Sequence, residues 1–554
     1  MVAVLAFGWF ALLPDDYARL GKHILGGATF VSNFVLYFES GYWDTASHTK
    51  PLLHLWSLGV EEQFYLAFPI IIYLLWKVRN RLALSLILLF VVSFALNLLF
   101  FLSNPELDFY MPFTRFWELL AGVILAYFTK QGALDRLPIK WATMIGTVGL
   151  ILLIASIWTI NDKNFPGYKA LMPVIGAVLF IAAGRESVVN RYLFSLKPIV
   201  FVGLISYPLY LWHWSLISYA SIILGNHPEY RWLDIKLELI ALSFVLAILT
   251  YYFIEKPIRF GKNYRGAKAI VLLCTLLLVG TIGTTVYIKD GLPMRGSLAN
   301  QDMKHFKDIL QAIGSRPVEQ DAQCKAYTML ESQFCRYNNI NGKSTVAVIG
   351  DSHALYAYEA VAKYNETIGV NTIMIGASGG HAPFFNDNSK YMNDSKALQF
   401  LEQDTSIKKV FIILFSTQHL YGESPYIQFG DGEYERKLQE LIDKLNAMNK
   451  QVYLVAENPL LPFDTRNIIS PFSNKEELIV TKAAVLERQK PYLEILQRIK
   501  GATIIPVIDV FCPTDQCLIF NENGLPLYSD NDHLSINAGG NFLINHALKP
   551  YLDK

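Results

Sequence analysis

Two short segments of the 554-residue sequence carry side chains suited to nucleophilic catalysis. Gly350-Asp351-Ser352-His353 follows the apolar run Thr345-Val346-Ala347-Val348-Ile349. Asp530-Asn531-Asp532-His533 lies much later, with His533 181 residues after Ser352. A serine hydroxyl attacks a carbonyl only when a neighbouring base takes its proton. His533 is the candidate base, and Asp530, three residues before it, is spaced to hold the imidazole tautomer. Asp532 is adjacent to His533 and is expected to point away. Such a set supports acyl transfer through a serine ester. Gly-Asp-Ser alone is a common turn and helix N-cap, and Asp-x-x-His alone is often a surface loop. The argument rests on their occurring at opposite ends of one pattern of strands and helices. His353 reads as a local structural residue and His381 as a loop residue.

A tetrahedral oxyanion also needs donors. The backbone N–H of Ser352, Gly379 in Ala377-Ser378-Gly379-Gly380, and the side chains of Ser416, Thr417 and Gln418 are the candidates. The elements that must position these groups follow from the run of the chain. Strands are expected at 345–349, 370–375, 409–415, 451–456 and 503–508. Helices are expected after Ser352 to about Tyr364, near 393–403, 433–448 and 475–499, and from about Asn537. This alternation predicts a three-layer α/β fold with a parallel sheet, whose active site sits at the carboxyl ends of the strands.

Upstream, the composition changes. Residues 1–288 are a series of long apolar runs, and the chain as a whole is 53% hydrophobic with 17% charged residues. That asymmetry predicts a multi-span α-helical membrane domain (1–288), a connector (289–340) with a short helix near 301–313, and a globular domain (341–554). Spans are expected at 55–76, 82–102, 113–129, 142–160, 171–184, 199–219, 237–254 and 269–288. Residues 1–13 are apolar but short, and 24–38 reads as an interfacial or re-entrant helix. A net charge of +1 provides no electrostatic case for nucleic acid as a partner.

The loops richer in Lys and Arg carry Lys77, Arg79 and Arg81, then Lys130, Arg136 and Lys140, then Arg185, Arg191 and Lys197, then Lys256, Arg259, Lys262, Arg265 and Lys268. Intervening loops, such as the one holding Lys163, are poorer. The positive-inside rule puts the richer set in the cytoplasm and the C-terminal domain outside it. Cysteine usage agrees. Cys324 and Cys335 flank one short loop and Cys512 and Cys517 another, predicting two local disulfides and an oxidising compartment. A four-thiolate zinc site fits the spacings less well, and no metal is expected.

Ionisable residues in or at the ends of spans are costly in lipid and usually face a bundle interior or cavity. Glu61, Glu62, Arg115, Glu118, His213 and Glu255 are such groups. For Arg115, Glu118 and Glu255, a structural ion pair or an interfacial placement competes with function. Tyr207, Tyr210, Trp212 and Trp214 form either an interfacial belt or part of an acyl passage.

The C-terminal part resembles the SGNH hydrolase family, with Gly350-Asp351-Ser352-His353 as the first block, Gly379 in the second and Asp530/His533 in the last. In place of the family's third-block Asn, the segment reads Phe415-Ser416-Thr417-Gln418-His419. The membrane part resembles the acyltransferase family 3 proteins through His54-Leu-Trp-Ser-Leu-Gly-Val-Glu61-Glu62-Gln63-Phe64-Tyr65, Phe113-Thr-Arg115-Phe-Trp117-Glu118, Ser206-Tyr207-Pro208-Leu-Tyr210-Leu-Trp212-His213-Trp214 and Ile254-Glu255-Lys256-Pro257. The resemblance implies a fused enzyme of the bacterial inner membrane, its C-terminal domain in the periplasm. It implies O-acetylation of a surface polysaccharide such as lipopolysaccharide O-antigen, with acetyl-CoA as donor and no bound cofactor. An acetylesterase, or a polysaccharide-binding domain on a transporter, is the alternative. The family also carries, on its first span, a motif running from a basic residue to a His. The sequence begins after it, so the expectation is an N-terminally truncated chain.

Overall fold

The computed structural model describes residues 1–40, 47–75, 81–134, 137–160, 165–224, 229–261, 265–293, 295, 317–330, 332–385, 391–422, 427, 429–463 and 479–553. The helix expected near 301–313 lies outside them, as do Lys77, Arg79, Arg136, Lys163 and Lys262. Two compact units divide the chain, one of residues 1–223 and 228–295, the other of 224–227 and 296–554.

The first unit is helical. Among the described residues, six helices are long and apolar enough to cross a membrane: Leu55–Leu75, Leu82–Ser103, Ile139–Thr159, Lys197–Ile223, Ile235–Phe260 and Gly266–Ile288. The run expected to span at 113–129 forms the helix Pro112–Lys130. It is not among the six because Arg115 and Glu118 dilute its apolar character. The run at 171–184 forms only the 12-residue helix Leu171–Ala182.

The helix expected over 24–38 is instead two, Pro14–Ala28 and Ser32–Glu39. Pro14 starts the first, where its missing N–H costs nothing. Phe30 ends the turn in the left-handed region (φ 58°), and the Val31 N–H donates to the Gly26 carbonyl at 2.8 Å, closing the helix end. Polar side chains join these helices. Gln63 donates to the Phe30 carbonyl (2.7 Å) and to Asn33 Oδ1 (2.8 Å), and Asn33 donates to the Tyr110 carbonyl (3.1 Å). Gly21 faces Gly283 so closely that a Cβ on Gly21 would lie 2.6 Å from the Gly283 carbonyl oxygen.

The second unit is built on a six-stranded sheet of order β1-β3-β2-β4-β5-β6. The strands are β1 (Phe334–Asn338), β2 (Thr345–Gly350), β3 (Asn371–Gly376), β4 (Ile407–Ile413), β5 (Gln451–Val455) and β6 (Thr503–Ile505). All neighbours are parallel except β1 and β3, which are antiparallel. Every residue of β2 and β3 is buried, as strands covered on both faces require.

β1 falls inside the segment expected to be a connector. The Cys324–Cys335 disulfide ties it to the helix Ala322–Thr328, and Cys512 is bonded to Cys517. The expected strand at 503–508 stops before Pro506, whose ring cannot donate to the ladder. The helix expected over 475–499 is broken into Lys482–Arg488 and Lys490–Arg498, with Pro491 opening the second. Residues 475–478 lie outside the described residues.

Gly350 ends β2 with φ +148°, and a Cβ there would meet the Ile413 carbonyl oxygen of β4 at 1.8 Å. Both the backbone conformation and the close strand approach demand glycine. Gly350→Ala is expected to destabilise the full chain by at least about 2 kcal/mol through overpacking and strain. A lower urea midpoint of the near-UV circular dichroism transition would register the loss, and an unchanged midpoint would count against this account.

Candidate active site

Ser352 opens the helix Ser352–Thr367 directly after β2. Asp351 is its N-cap. One carboxylate oxygen accepts the His353 N–H (2.9 Å) and the other the Phe415 N–H beyond β4 (2.6 Å). A single buried side chain thus joins the helix start to the neighbouring loop. Burial pushes the Asp351 carboxyl up to about 6, against the pull of those two N–H groups.

Ser352 Oγ lies 2.8 Å from His533 Nε2, and His533 Nδ1 lies 2.9 Å from Asp530 Oδ2. Asp530 Oδ1 accepts the backbone N–H groups of Asp532 (3.0 Å) and His533 (2.7 Å), which curls the loop into a tight turn. That turn overturns one expectation. Asp532 does not point away: its Oδ1 lies 2.8 Å from His533 Nδ1. Two carboxylates therefore face one ring nitrogen. Burial alone would depress the imidazolium, but Asp530 and Asp532 together hold its pKa well above the ordinary histidine value. Burial likewise opposes the Asp530 carboxylate, and the facing imidazolium more than offsets this and lowers its pKa. For Asp532 burial wins, and its carboxyl is pushed up.

Two rings flank the His533 imidazole, with centroids 4.8 Å away for His353 and 4.6 Å for Tyr356. His353 also stacks on Phe415 at 4.8 Å. It is buried, and desolvation lowers its pKa to about 3, so it stays neutral beside His533. Of the oxyanion candidates, Gly379 begins a short 3-10 turn, and the Gln418 amide nitrogen lies so close that a Cβ there would displace it. Ser416 faces inward instead, its hydroxyl accepting from Tyr434 Oη at 2.5 Å. Thr417 is drawn inward too, its N–H donating to Glu457 Oε1 at 2.7 Å. Gln489 Nε2 donates to Glu457 Oε2 at 3.1 Å. Desolvation nevertheless raises this fully buried carboxyl from 4.5 to about 7. Glu457 had no recognisable spacing signal, whereas Asp532 belongs to the late motif and only its direction differs.

Residues 320–544 match the SGNH domain family described as fused to AT3 domains, and residues 2–256 match the acyltransferase domain family. The chain pairs an acyltransferase domain with an SGNH domain. Similar curated proteins include a putative O-acetyltransferase of Staphylococcus aureus (strain MRSA252), 31% identical over 326 residues, 54% of this chain and 53% of the relative. O-acetyltransferase OatA of Staphylococcus aureus (strain NCTC 8325 / PS 47) is 30% identical over 292 residues, 49% of this chain and 47% of the relative. The chain spans about half the length of the curated relatives it matches.

In the acyltransferase domain the predicted polar residues divide. Arg115 is buried and paired with Glu118 at 2.6 Å, and its guanidinium lies over Trp56 (5.3 Å) and Phe165 (5.2 Å). Glu255 pairs with Arg259 at 2.9 Å. These contacts match the structural ion pairs weighed above. Glu61 is exposed and Glu62 half-buried. His213 Nδ1 lies 2.7 Å from the Tyr210 carbonyl, and its ring is 6.1 Å from that of His54. Tyr210 Oη donates to the His54 carbonyl (2.6 Å) and lies 2.6 Å from Ser57 Oγ. His54, Tyr207 and Ser215 border an apolar cavity of about 260 Å³. His54 and Ser57 belong to a motif legible in sequence, but their meeting with Tyr210 and His213 was not.

Two outcomes follow from the charges. Asp532→Asn removes one of the carboxylates that hold the imidazolium. The pH at half-maximal fluorophosphonate labelling of Ser352 should then fall by about one unit; an unmoved profile would remove Asp532 from this role. Folded Glu457 keeps its proton to about pH 7, whereas the unfolded chain releases it near 4.5. Its contribution to stability is therefore most favourable below pH 4.5 and falls as pH rises through 7, by up to about 3 kcal/mol. Glu457→Gln should flatten that part of the stability–pH curve in urea titrations.

Proposed function

We propose that the protein is a membrane-bound O-acetyltransferase. It moves acetyl from cytoplasmic acetyl-CoA to hydroxyls of a cell-surface polysaccharide, of the lipopolysaccharide O-antigen class, by way of an acetyl ester on Ser352. The observation that carries this reading is the 2.8 Å contact between Ser352 Oγ and His533 Nε2, on the same chain as an acyltransferase domain. A domain that only hydrolysed esters would need no such partner. The O-acetyltransferase names of the relatives support the same class of reaction.

The geometry supports the following steps. In its neutral form, with its proton on Nδ1, His533 takes the Ser352 proton on Nε2 as Oγ attacks the acyl carbonyl. The ring becomes an imidazolium, which Asp530 stabilises through Nδ1–H. The Ser352 N–H, Gly379 and the Gln418 amide are the donors assigned to the oxyanion. Gln418 takes the place of the family's third-block Asn, since its longer side chain reaches Gly379. Collapse of the tetrahedral adduct passes the proton from His533 to the leaving group and leaves acetyl-Ser352. A sugar hydroxyl then attacks that ester, and His533 takes its proton and returns it to Ser352 Oγ.

The compartments give the relay its purpose. The excess of Lys and Arg in alternate loops and the two disulfides support a reading in which the SGNH domain lies outside the cytoplasm, in the periplasm of an inner-membrane protein. A covalent carrier removes any need for CoA itself to cross.

With acetyl-CoA and polysaccharide supplied to the full-length membrane protein, Ser352→Ala should lower acetyl transfer by at least about a thousandfold. Intact-mass analysis should find acetyl on wild-type Ser352. Acetylation undiminished in the variant would falsify the relay, and acetate released with none on the sugar would identify an esterase.

A further inference from the structure

The Ser352–His533–Asp530 set uses one carboxylate and one imidazole, yet the structure brings two of each together. The surplus members are Asp532 and His353. One donor atom from each of His353, Asp532 and His533 lies within 4.8 Å of the other two. Asp532 Oδ1 is already 2.8 Å from His533 Nδ1. His353 is 6% exposed; Asn458 is a side-chain neighbour of its ring, but Nε2 meets no partner at full hydrogen-bond geometry among the described residues. A buried ring nitrogen left without a partner is uncommon and calls for an explanation such as an ion.

We propose that His353, Asp532 and His533 form a binding site for a divalent transition-metal ion, with zinc the best fit, and that its occupancy silences Ser352. Two imidazoles and one carboxylate are a usual zinc donor set, and the fourth position stays open to water. Bond lengths of about 2.0–2.1 Å put the donors of a tetrahedral ion about 3.4 Å apart. Closing the present spread requires side-chain shifts of about 1 Å. Asp530, 2.9 Å from the same nitrogen, adds negative charge beside the ion.

The consequence for Ser352 is a matter of proton placement. A neutral imidazole that binds metal through Nδ1 uses the lone pair there and carries its one proton on Nε2. Nε2 then donates to Ser352 Oγ and can no longer accept its proton. Starting from the neutral ring no proton is lost and it only changes ring nitrogen; starting from the imidazolium, one proton leaves to solvent as the ion binds. The serine keeps its place and loses its base. The silencing rests on the function proposed above, whereas the binding does not.

The test uses the full chain in detergent micelles after chelator treatment. Cobalt(II) is the spectroscopic probe. Binding at this site should give the intense visible bands of a low-coordinate ion in wild type and lose them in His353→Ala and Asp532→Asn. Zinc should slow fluorophosphonate labelling of wild-type Ser352 at least about tenfold, and a chelator should restore it. Each variant should need about tenfold or more additional zinc for the same fractional slowing, as loss of a ligand implies. Cobalt spectra like those of the free aqua ion, or equal zinc sensitivity in all three proteins, would overturn the proposal. Circular dichroism establishes that each variant is folded, and the two variants report independently. Metal-free wild type that never labels would instead count against the serine reading, while the cobalt bands would still stand.

Discussion

A serine hydroxyl and an imidazole from residues 181 apart meet at 2.8 Å, and the architecture of the SGNH domain can be understood as what holds that contact. Ser352 is placed by β2, whose end lies tight against β4 at Gly350. His533 is placed by a turn that Asp530 makes with two backbone N–H groups. Neither placement depends on the hydrophobic core alone. Each uses a carboxylate that accepts more than one hydrogen bond in a nearly water-free setting, where an unpaired polar group would be costly. Asp351 joins the Ser352 helix to the loop after β4 in the same way. Glu457 joins that loop to the end of β5 through Thr417.

These buried carboxylates also explain the electrostatics. Asp351, Glu457 and Asp532 are all pushed toward the protonated form by desolvation, and only Asp530, facing the imidazolium, is driven the other way. Structural acids and the acid that orients the base thus separate according to what each one faces. His353 follows the same principle: burial keeps it neutral, so it packs against His533 without competing for the stabilising carboxylates.

The acyltransferase domain presents the corresponding problem in apolar surroundings. Several of its buried polar side chains pair with one another. Asn97 with Asp108, Asn33 with Gln63 and Arg115 with Glu118 are paired. The His54, Tyr210 and His213 cluster differs in kind, since its rings gather beside an apolar cavity. Sequence could mark Arg115 and His213 as costly residues in or near spans. It could not tell a closed ion pair from a group bordering open space, because that depends on helices far apart in the chain.

Periodicity, apolar runs and turn residues are local signals, and they determined much. They located five of the six strands, the long apolar helices, the serine after β2, the late Asp-x-x-His and the two cysteine pairs. β1 escaped because its five residues, Phe334–Asn338, have no regular alternation of their own; pairing with the edge of β3 and the Cys324–Cys335 bond make them a strand. The division of 475–499 at Pro491 was legible from the proline itself, whereas the break of 24–38 depended on the left-handed backbone of Phe30, which its residue type does not favour. Tertiary structure alone decided that Asp532 turns toward His533, that Ser416 turns away from the site and that Gln418 lies on Gly379. The physical reason is common to all three. A side chain's direction follows from which distant backbone and polar groups it can satisfy, and residue type and local spacing do not contain that information.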